Sequence, residues 1–474
     1  MKSWRNCESQ LRNPESMRKR LLALFLTFTF LTGCTVGPNY RKPIVKVPDT
    51  YRASEGQKRY QEESFADLPW WQVFQDPVLQ ALIRKTLQNN YDLQLATERI
   101  NAARAQLRIT RADQYPQVNV SGTGEGGKFF YGPFSSNIKY STYAADAAFQ
   151  LDLFGKLRRA TEAARAQLLA SEYAQKTEVL TLVSDMASDY FSLLALDLQL
   201  QITRDTAATQ QDAVKLTKMR LEHGVATKLD VLQAQQVLDT ANAQIPDLER
   251  QIGQLENAIS ILLGDYPHDV ARGRSLVEQP MPPQVPAGLP SSLLARRPDI
   301  SQAEQNLIAA NAQIGVAKAA FFPQIALTGS GGGASSNLSN ATIGTFSYGA
   351  NLLQPIFEGG KLRGNLRLAE SQHRQELLAY QQAIQGAFRD VSDALIGYDK
   401  FHKVRVEQQV TVKDLQESVD TSLERYRGGI ATYLEVLDGQ RSLYNAELTL
   451  AQARGNEYQS MVQLYKALGG GWKE

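Results

Sequence analysis

Two stretches of the chain carry a helical spacing of apolar residues over an unusual length. The first predicts a helix from about Leu157 to Glu222, without Pro or Gly, and the second predicts one from about Leu362 to Arg427. Some 65 residues at 1.5 Å each give roughly 100 Å, which is far longer than most helices of globular proteins. Because the apolar stripe is narrow and rich in Ala and Gln, we expect these helices to pack side by side as coiled coils.

Two pairs of shorter segments alternate apolar and polar residues with a period of two. They cover residues 118–121, 146–153, 324–328 and 346–352. Loops are predicted inside each pair, at Lys128–Asn137 and Gly329–Asn340. Such alternation suits strands of a transmembrane barrel, with one face toward lipid and one toward water, although a pair of soluble hairpins would alternate in the same way.

A sequence motif occurs twice, about 200 residues apart, which is too long a period for a solenoid and indicates a duplicated unit. Arg220–Leu238 recurs as Arg425–Leu443 with Arg, Gly, Ala-Thr and Val-Leu at the same spacing. The glycines are placed as helix C-caps and the threonines as N-caps of the helices that follow. Each repeat is therefore predicted to be a strand pair followed by a helix hairpin.

These patterns divide the chain into five parts. They are an N-terminal signal segment (1–33), an extended N-terminal segment (34–75), a first repeat (76–279), a Pro-rich linker (280–298) and a second repeat with the C-terminal end (299–474). Within the first repeat, Asp76 is predicted to cap a helix that reaches about Asp113, and Pro246 is predicted to interrupt a later helix.

The N-terminus has the features of a targeting signal. The basic run Arg18–Arg20, directly after an alternative start at Met17, precedes the apolar run Leu21–Leu31, which is too short to span a bilayer as a helix. The segment ends in Leu-Thr-Gly-Cys, which resembles the lipobox of bacterial lipoproteins and implies cleavage before Cys34 and lipidation of that residue. An ordinary secretory signal with an incidental cysteine is the alternative.

Composition argues against nucleic-acid binding and against catalysis. The 51 basic and 49 acidic residues nearly balance, so there is no general positive field. The four histidines have no metal-ligand spacing. The glycine-rich stretch Gly122–Gly127 does not fit a dinucleotide-binding motif, because that motif requires a helix directly after it and none is predicted here. It is interpreted as a flexible loop. We expect that the protein is not an enzyme and that it holds no metal and no cofactor other than the lipid on Cys34.

Four motifs together resemble one known family. They are CTVGPNYRKP (34–43), WWQVFQDPVLQALI (70–83), the paired Gly-x-Ala-Thr turns and the ending ALGGGW (467–472). The chain resembles the TolC/OprM-like outer-membrane factors, in particular the lipoprotein branch that serves RND efflux systems. The resemblance implies a mainly α fold with a membrane β-barrel, in which a homotrimer forms a twelve-stranded barrel and a periplasmic α-barrel.

The same resemblance implies a location and partners. The protein would be lipid-anchored in the bacterial outer membrane and would project into the periplasm. It would serve as a passive exit duct for drugs or other small toxic compounds, together with a periplasmic adaptor protein and an inner-membrane RND pump. A duct for type I protein secretion and a non-channel periplasmic coiled-coil scaffold are the alternatives, and the sequence does not identify substrates.

Two groups of site residues follow from the resemblance. The tips that would contact the adaptor are Gly224, Val225, Ala226, Thr227, Gly429, Ile430, Ala431 and Thr432. The channel gate would consist of Asp230, Tyr426, Glu435 and Asp438, with a bond between Tyr426 and Asp230 and with anionic rings at Glu435 and Asp438. A simpler role for Asp230 and Glu435 is to complement the positive end of a helix dipole.

Overall fold

The structure, a computed structural model, describes residues 35–48, 51, 65–280, 292–335 and 343–470; for 129–131 and 134–138 it describes the backbone alone. The predicted signal peptide and lipidation residue Cys34 lie outside the described residues. The chain divides into two compact units. The strand unit contains the described residues of Met1–Ile44 with Arg99–Ser171 and Gln302–Tyr380, and the hairpin unit contains those of Val45–Glu98, Glu172–Ser301 and Gln381–Glu474. The five-part division along the sequence stays a prediction.

Nine α-helices are described. They are α1 (Trp70–Val73), α2 (Pro77–Asn89), α3 (Tyr91–Ala112), α4 (Lys156–Glu222), α5 (Lys228–Leu262), α6 (Leu293–Arg296), α7 (Pro298–Ala319), α8 (Lys361–Arg427) and α9 (Tyr433–Ala467). Helices α4 and α8 have 67 residues each. The two long helices predicted from the sequence are therefore confirmed to within one residue at each end.

Helix α4 is also the one described helix that is long and apolar enough to cross a membrane. Its most apolar window is 61% buried inside the protein. Burial of that degree is what a core helix shows, because its apolar side chains already have protein neighbours.

Side-chain caps set the bounds of the helices before the sheet. Asp76 precedes α2 and accepts a hydrogen bond from the Val78 N–H at 2.8 Å, as predicted. The single helix expected to continue to Asp113 is instead two, because the Asn90 side chain accepts from the N–H groups of Asp92 and Leu93 and starts α3. Helix α5, in contrast, continues through Pro246, so the predicted interruption there is wrong.

The reason that Pro246 does not end α5 lies in the packing on either side of it. A proline removes one main-chain hydrogen bond and crowds the preceding turn. Ala241, before the proline, and Leu248, after it, are almost completely buried. Their packing against the rest of the protein keeps the helix continuous across the proline. Tertiary packing overrides local propensity here.

The strands form one antiparallel sheet in the order β1-β2-β3-β4. They are β1 (Gln117–Tyr131), β2 (Phe134–Leu151), β3 (Gln324–Ser335) and β4 (Ile343–Leu353). Strands β1 and β4 are the edges and have no further strand beside them among the described residues. The four predicted strand segments are confirmed, except that β2 ends at Leu151 and not at residue 153; the strands otherwise extend further than predicted.

Three predicted loops are wrong in whole or in part because the strands extend into them. Gly122–Gly127 belongs to β1, and the expected loop Lys128–Asn137 is strand except at a turn of Gly132 and Pro133. Strand β3 enters the other expected loop as far as Ser335; residues 336–340 lie outside the described part. Pairing with β2 supplies the order that the glycines lack locally, and β2 contains Tyr140, Thr142, Tyr143 and Phe149, residue types that favour strands.

The register places apolar and polar residues on opposite faces of the sheet. One row across the four strands consists of Asn119, Asp146, Ser330 and Ser347, and the adjacent row consists of Val118, Ala147, Gly329 and Tyr348. On the polar face the Ser121 hydroxyl donates to the Asp146 carboxylate at 2.8 Å. On the apolar face large side chains are bare, with Phe346 80% and Tyr348 85% exposed.

Candidate functional site

The two helix-hairpin tips have the same main-chain design. Gly224 and Gly429 have φ of 71° and 75°, the left-handed region that favours glycine. The Val225 N–H bonds the Arg220 carbonyl at 2.8 Å, and the Ile430 N–H bonds the Arg425 carbonyl at 3.0 Å. These are the long-range bonds of a Schellman motif, which ends a helix in a fixed direction. The repeated motif is therefore a chain reversal in both copies.

The next helices start with reciprocal side-chain caps. The Asp230 carboxylate accepts from the Thr227 N–H at 2.7 Å and from its hydroxyl at 2.8 Å, and the Asp230 N–H donates to the Thr227 hydroxyl at 3.2 Å. At the second tip Glu435 accepts from the N–H and the hydroxyl of Thr432, both at 3.4 Å. Asp230 and Glu435 thus satisfy free N–H groups at helix N-termini.

Apolar side chains are exposed around both turns. Val225 is 64% and Ile430 is 74% exposed, and Leu229 and Leu434, one turn further on, are also exposed. Ala226 and Ala431 are partly covered, and Asp438 is exposed. An apolar surface at a helix-hairpin tip, rimmed by polar groups, is typical of a protein contact.

The predicted gate residue Tyr426 lies between the two hairpins. Its ring centroid is 5.5 Å from that of Tyr433 and 4.6 Å from the Arg220 guanidinium carbon. It packs against a buried cluster drawn from α4, α5 and α9: Ala207, Val214, Ala234, Val237, Leu238, Ala241, Tyr433 and Leu437. No hydrogen bond between Tyr426 and Asp230 occurs among the described residues. The structure therefore brings Tyr426 to the inter-hairpin core, while Asp230 serves the local cap.

A row of polar pairs joins α4 to α9 behind the tips, and we call it the polar seam. Its hydrogen-bonded pairs are Asp185–Lys466 (3.2 Å), Ser192–Gln459 (2.7 Å), Gln199–Gln452 (3.3 Å), Thr203–Tyr444 (3.1 Å) and Gln210–Gln440 (3.0 Å). The first three pairs recur every seventh residue in opposite chain directions, which is the repeat of an antiparallel coiled coil. Polar layers in such a seam fix the register of the two helices more than they add stability.

Burial shifts the ionisation of several groups in the hairpin unit. It raises the pKa of Asp189 to about 6, with the nearby Asp185 carboxylate as the second cause. Burial also raises the pKa of Glu447, helped by the charge of Asp205, and raises the pKa of Tyr433. Asp189 lies on α4, and Tyr433 and Glu447 lie on α9, so the charged forms of these three side chains are disfavoured in the folded protein.

No group of three or more His, Cys, Asp or Glu side chains that could hold a metal ion is found in the described part of the chain. The sequence prediction did not identify the polar seam or the contact between Arg220 and Tyr426. The seven-residue spacing of Ser192 with Gln199 and of Gln452 with Gln459 could have indicated the seam. No signal in the sequence could have paired Arg220 with Tyr426, because that contact depends on how two hairpins meet.

Comparison with known proteins identifies the fold and the family. The family model "Outer membrane efflux protein" matches residues 82–265 and 289–470. The chain is 36% identical over 447 residues to the cation efflux system protein CusC of Escherichia coli, covering 94% of this chain and 97% of that protein. It is 36% identical over 469 residues to the toluene efflux pump outer membrane protein TtgC of Pseudomonas putida, covering 97% of each.

A solved structure agrees with the sequence matches. The outer-membrane channel OprN superposes with a TM-score of 0.86 at 31% identity, covering 93% of this chain and all of that one. The chain therefore belongs to the outer membrane efflux protein family, and its function is that of a passive outer-membrane channel and not of an enzyme.

Proposed function

We propose that three copies of this chain form the outer-membrane exit duct of a tripartite, RND-type efflux system. The four-stranded sheet carries this proposal. It has an apolar face, a polar face and two edges, β1 and β4, that have no partner strand in the part of the chain that the structure describes. In lipid an open edge is not viable, and four strands cannot close a barrel. Three copies joined edge to edge would give twelve strands with the polar face toward a water-filled lumen.

The junction between strand and helix supports a lipid anchor at Cys34. The Val36 N–H donates to the Phe154 carbonyl at 3.1 Å, directly after β2. The buried Arg159 side chain donates to the Val36 carbonyl at 3.3 Å and to the Asn39 side chain at 2.7 Å. Residues next to Cys34 are thus fixed where the sheet gives way to the helices. Acyl chains on Cys34 would enter the membrane at the base of the barrel.

The exposed tips are the proposed contact for a periplasmic adaptor. Val225 and Ile430 are the most exposed apolar residues of the two turns, and both sit on rigid Schellman turns. A partner with small apolar grooves would bury them at little cost in chain entropy. The inner-membrane RND pump would supply the energy for export.

The gate is proposed at the end of α8 and at the starts of α5 and α9, next to the tips. Tyr426 packs where the two hairpins meet, and Asp230 caps the start of α5. The exposed Glu435 and Asp438 lie in the first and second turns of α9. Three copies would place six carboxylates from Glu435 and Asp438 around the aperture. Such rings would attract cations and would repel one another as the aperture narrows.

The substrate class stays open between cations and organic compounds. CusC, named for cation efflux, and TtgC, named for toluene efflux, are equally similar to this chain at 36% identity. In a passive duct the selecting site belongs to the pump, so similarity of the duct does not choose between them. Deleting the gene and measuring growth on metal salts, antibiotics and solvents would identify the class.

The channel itself is tested with the purified, membrane-extracted protein. We expect a heat-modifiable trimer on a semi-native gel and discrete conductance steps in planar lipid bilayers. A lipidated monomer without conductance would instead favour the coiled-coil scaffold. A duct for type I protein secretion would leave drug, solvent and metal tolerance unchanged when the gene is deleted.

A further inference from the structure

The contact between Arg220 and Tyr426 joins the two hairpins of one chain. Arg220 is in the last turn of α4, and Tyr426 is in the last turn of α8. The guanidinium carbon lies 4.6 Å from the ring centroid, within the range of a cation–π interaction. The Arg220 Nε is buried and has no hydrogen-bond partner among the described residues, so the ring face is what this end of the guanidinium contacts.

The duplicated arginine does not make the same contact. Arg425 occupies the matching position in the second repeat, but it is exposed, and no ring contact is found for it among the described residues. The residue that matches Tyr426 in the first repeat is Leu221, which has no aromatic ring. Both arginines keep the main-chain role of accepting the Schellman bond through their carbonyl. Only Arg220 has gained a side-chain partner in the other hairpin.

The carboxylate expected to hold Tyr426 is already engaged. One oxygen of Asp230 accepts both Thr227 bonds, at 2.7 and 2.8 Å. The capping box holds the Asp230 carboxylate at the start of α5, and among the described residues its second oxygen has no hydrogen bond to the Tyr426 hydroxyl. The Arg220 guanidinium already stacks on the ring.

We propose that Arg220 is a gate-positioning residue, and that its stack on Tyr426 holds the second hairpin against the first in the closed channel. The proposal rests on the proposed channel function. On this proposal the aperture opens by a movement of α8 and α9 away from α4 and α5, which would break the stack. The aromatic ring, rather than the phenol hydroxyl, is then the part of Tyr426 that keeps the tip closed.

The test is single-channel recording of trimers in planar bilayers, with trimer content checked on gels. Arg220→Gln should raise the open fraction by at least about fivefold, the size expected for one partly buried cation–π contact. Arg425→Gln removes the same charge from the matching position and should leave the open fraction within about twofold of wild type. Tyr426→Leu should resemble Arg220→Gln, while Tyr426→Phe keeps the ring and should change the open fraction by less than about twofold.

Each result decides for or against the stack. An effect of Tyr426→Phe as large as that of Tyr426→Leu would overturn the proposal in favour of a hydroxyl bond. Equal effects of Arg220→Gln and Arg425→Gln would overturn it in favour of general charge at the tip. If Arg220→Gln fails to form trimers, the comparison of the Phe and Leu variants at 426 still decides. Absence of any pore in wild type would contradict the channel function, whereas a pore unaffected by Arg220→Gln contradicts only the role of Arg220.

Discussion

Replacing Asp76 by Ala should destabilise the hairpin unit far more than removal of an exposed carboxylate. Asp76 is 1% exposed. Its carboxylate accepts from the Val78 N–H at 2.8 Å, the Tyr190 hydroxyl at 3.0 Å, the Arg274 N–H at 3.2 Å and the Gln279 amide at 2.5 Å. It therefore ties the start of α2, the middle of α4 and the segment after α5 to a single point.

The expected loss follows from those four bonds. The N-cap bond alone is worth roughly 0.5–2 kcal/mol, and a hydrogen bond to a charged acceptor is worth roughly 1.5–3 kcal/mol. Because the bonds share one carboxylate they do not add fully, and we expect a loss of about 3–5 kcal/mol in the free energy of unfolding. Asp92→Ala removes an exposed first-turn carboxylate from α3 and should cost about 0.5 kcal/mol.

The assay is thermal unfolding of the purified trimer in detergent, followed by circular dichroism across pH. Burial alone would raise the pKa of Asp76, but hydrogen bonds from Gln279, Val78, Tyr190 and Arg274 outweigh it and lower that pKa. A lowered pKa gives stability that is present above the unfolded value of about 3.9 and is lost as pH falls below it. Asp76→Asn should abolish that acid-side component. Equal unfolding temperatures for Asp76→Ala and Asp92→Ala at neutral pH would refute the reasoning.

Two further predictions concern charge in the hairpin unit. Burial raises the pKa of Asp189 to about 6, so its charge destabilises the folded state at about pH 7, and the lost stability is recovered as pH falls from about 6 toward 4. Asp189→Asn should therefore raise the unfolding temperature at about pH 7.5 and change it little at about pH 4.5. A larger gain in unfolding temperature at the lower pH would contradict the predicted direction of the pKa shift. Asp438→Asn should lower the cation selectivity of the pore, measured as a reversal potential under a salt gradient, while Asp239→Asn on α5 should not; equal effects of the two would contradict a ring at Asp438.

Sequence periodicity predicted the helices better than the sheet, for a physical reason. The three- and four-residue spacing of apolar residues in α4 is a local pattern, so the segment from Val179 to Leu200 can be predicted as helix from its own residues. The glycines of β1 report little, because Gly has no side-chain preference for a strand. Their order comes from pairing with β2, as between Gly124 and Ser141, and pairing partners are distant in sequence.

The candidate site was predictable in its main chain and not in its contacts. Glycine at the turn and threonine at the next cap are dictated by backbone geometry, so Gly224, Thr227, Gly429 and Thr432 could be assigned from their spacing. The partner of Tyr426 could not, since it depends on how two hairpins pack. The predicted roles of the gate and tip residues stay predictions, and the caps of Asp230 and Glu435 agree with the simpler helix-terminus role.

Duplication explains why the two tips share a turn but not a contact. A symmetric pair of hairpins would need both a cation and a ring in each copy. Here Arg220 supplies the cation and Tyr426 the ring, while Leu221 and Arg425 are exposed at the matching positions. The contact therefore joins two residues that do not occupy matching positions in the two repeats.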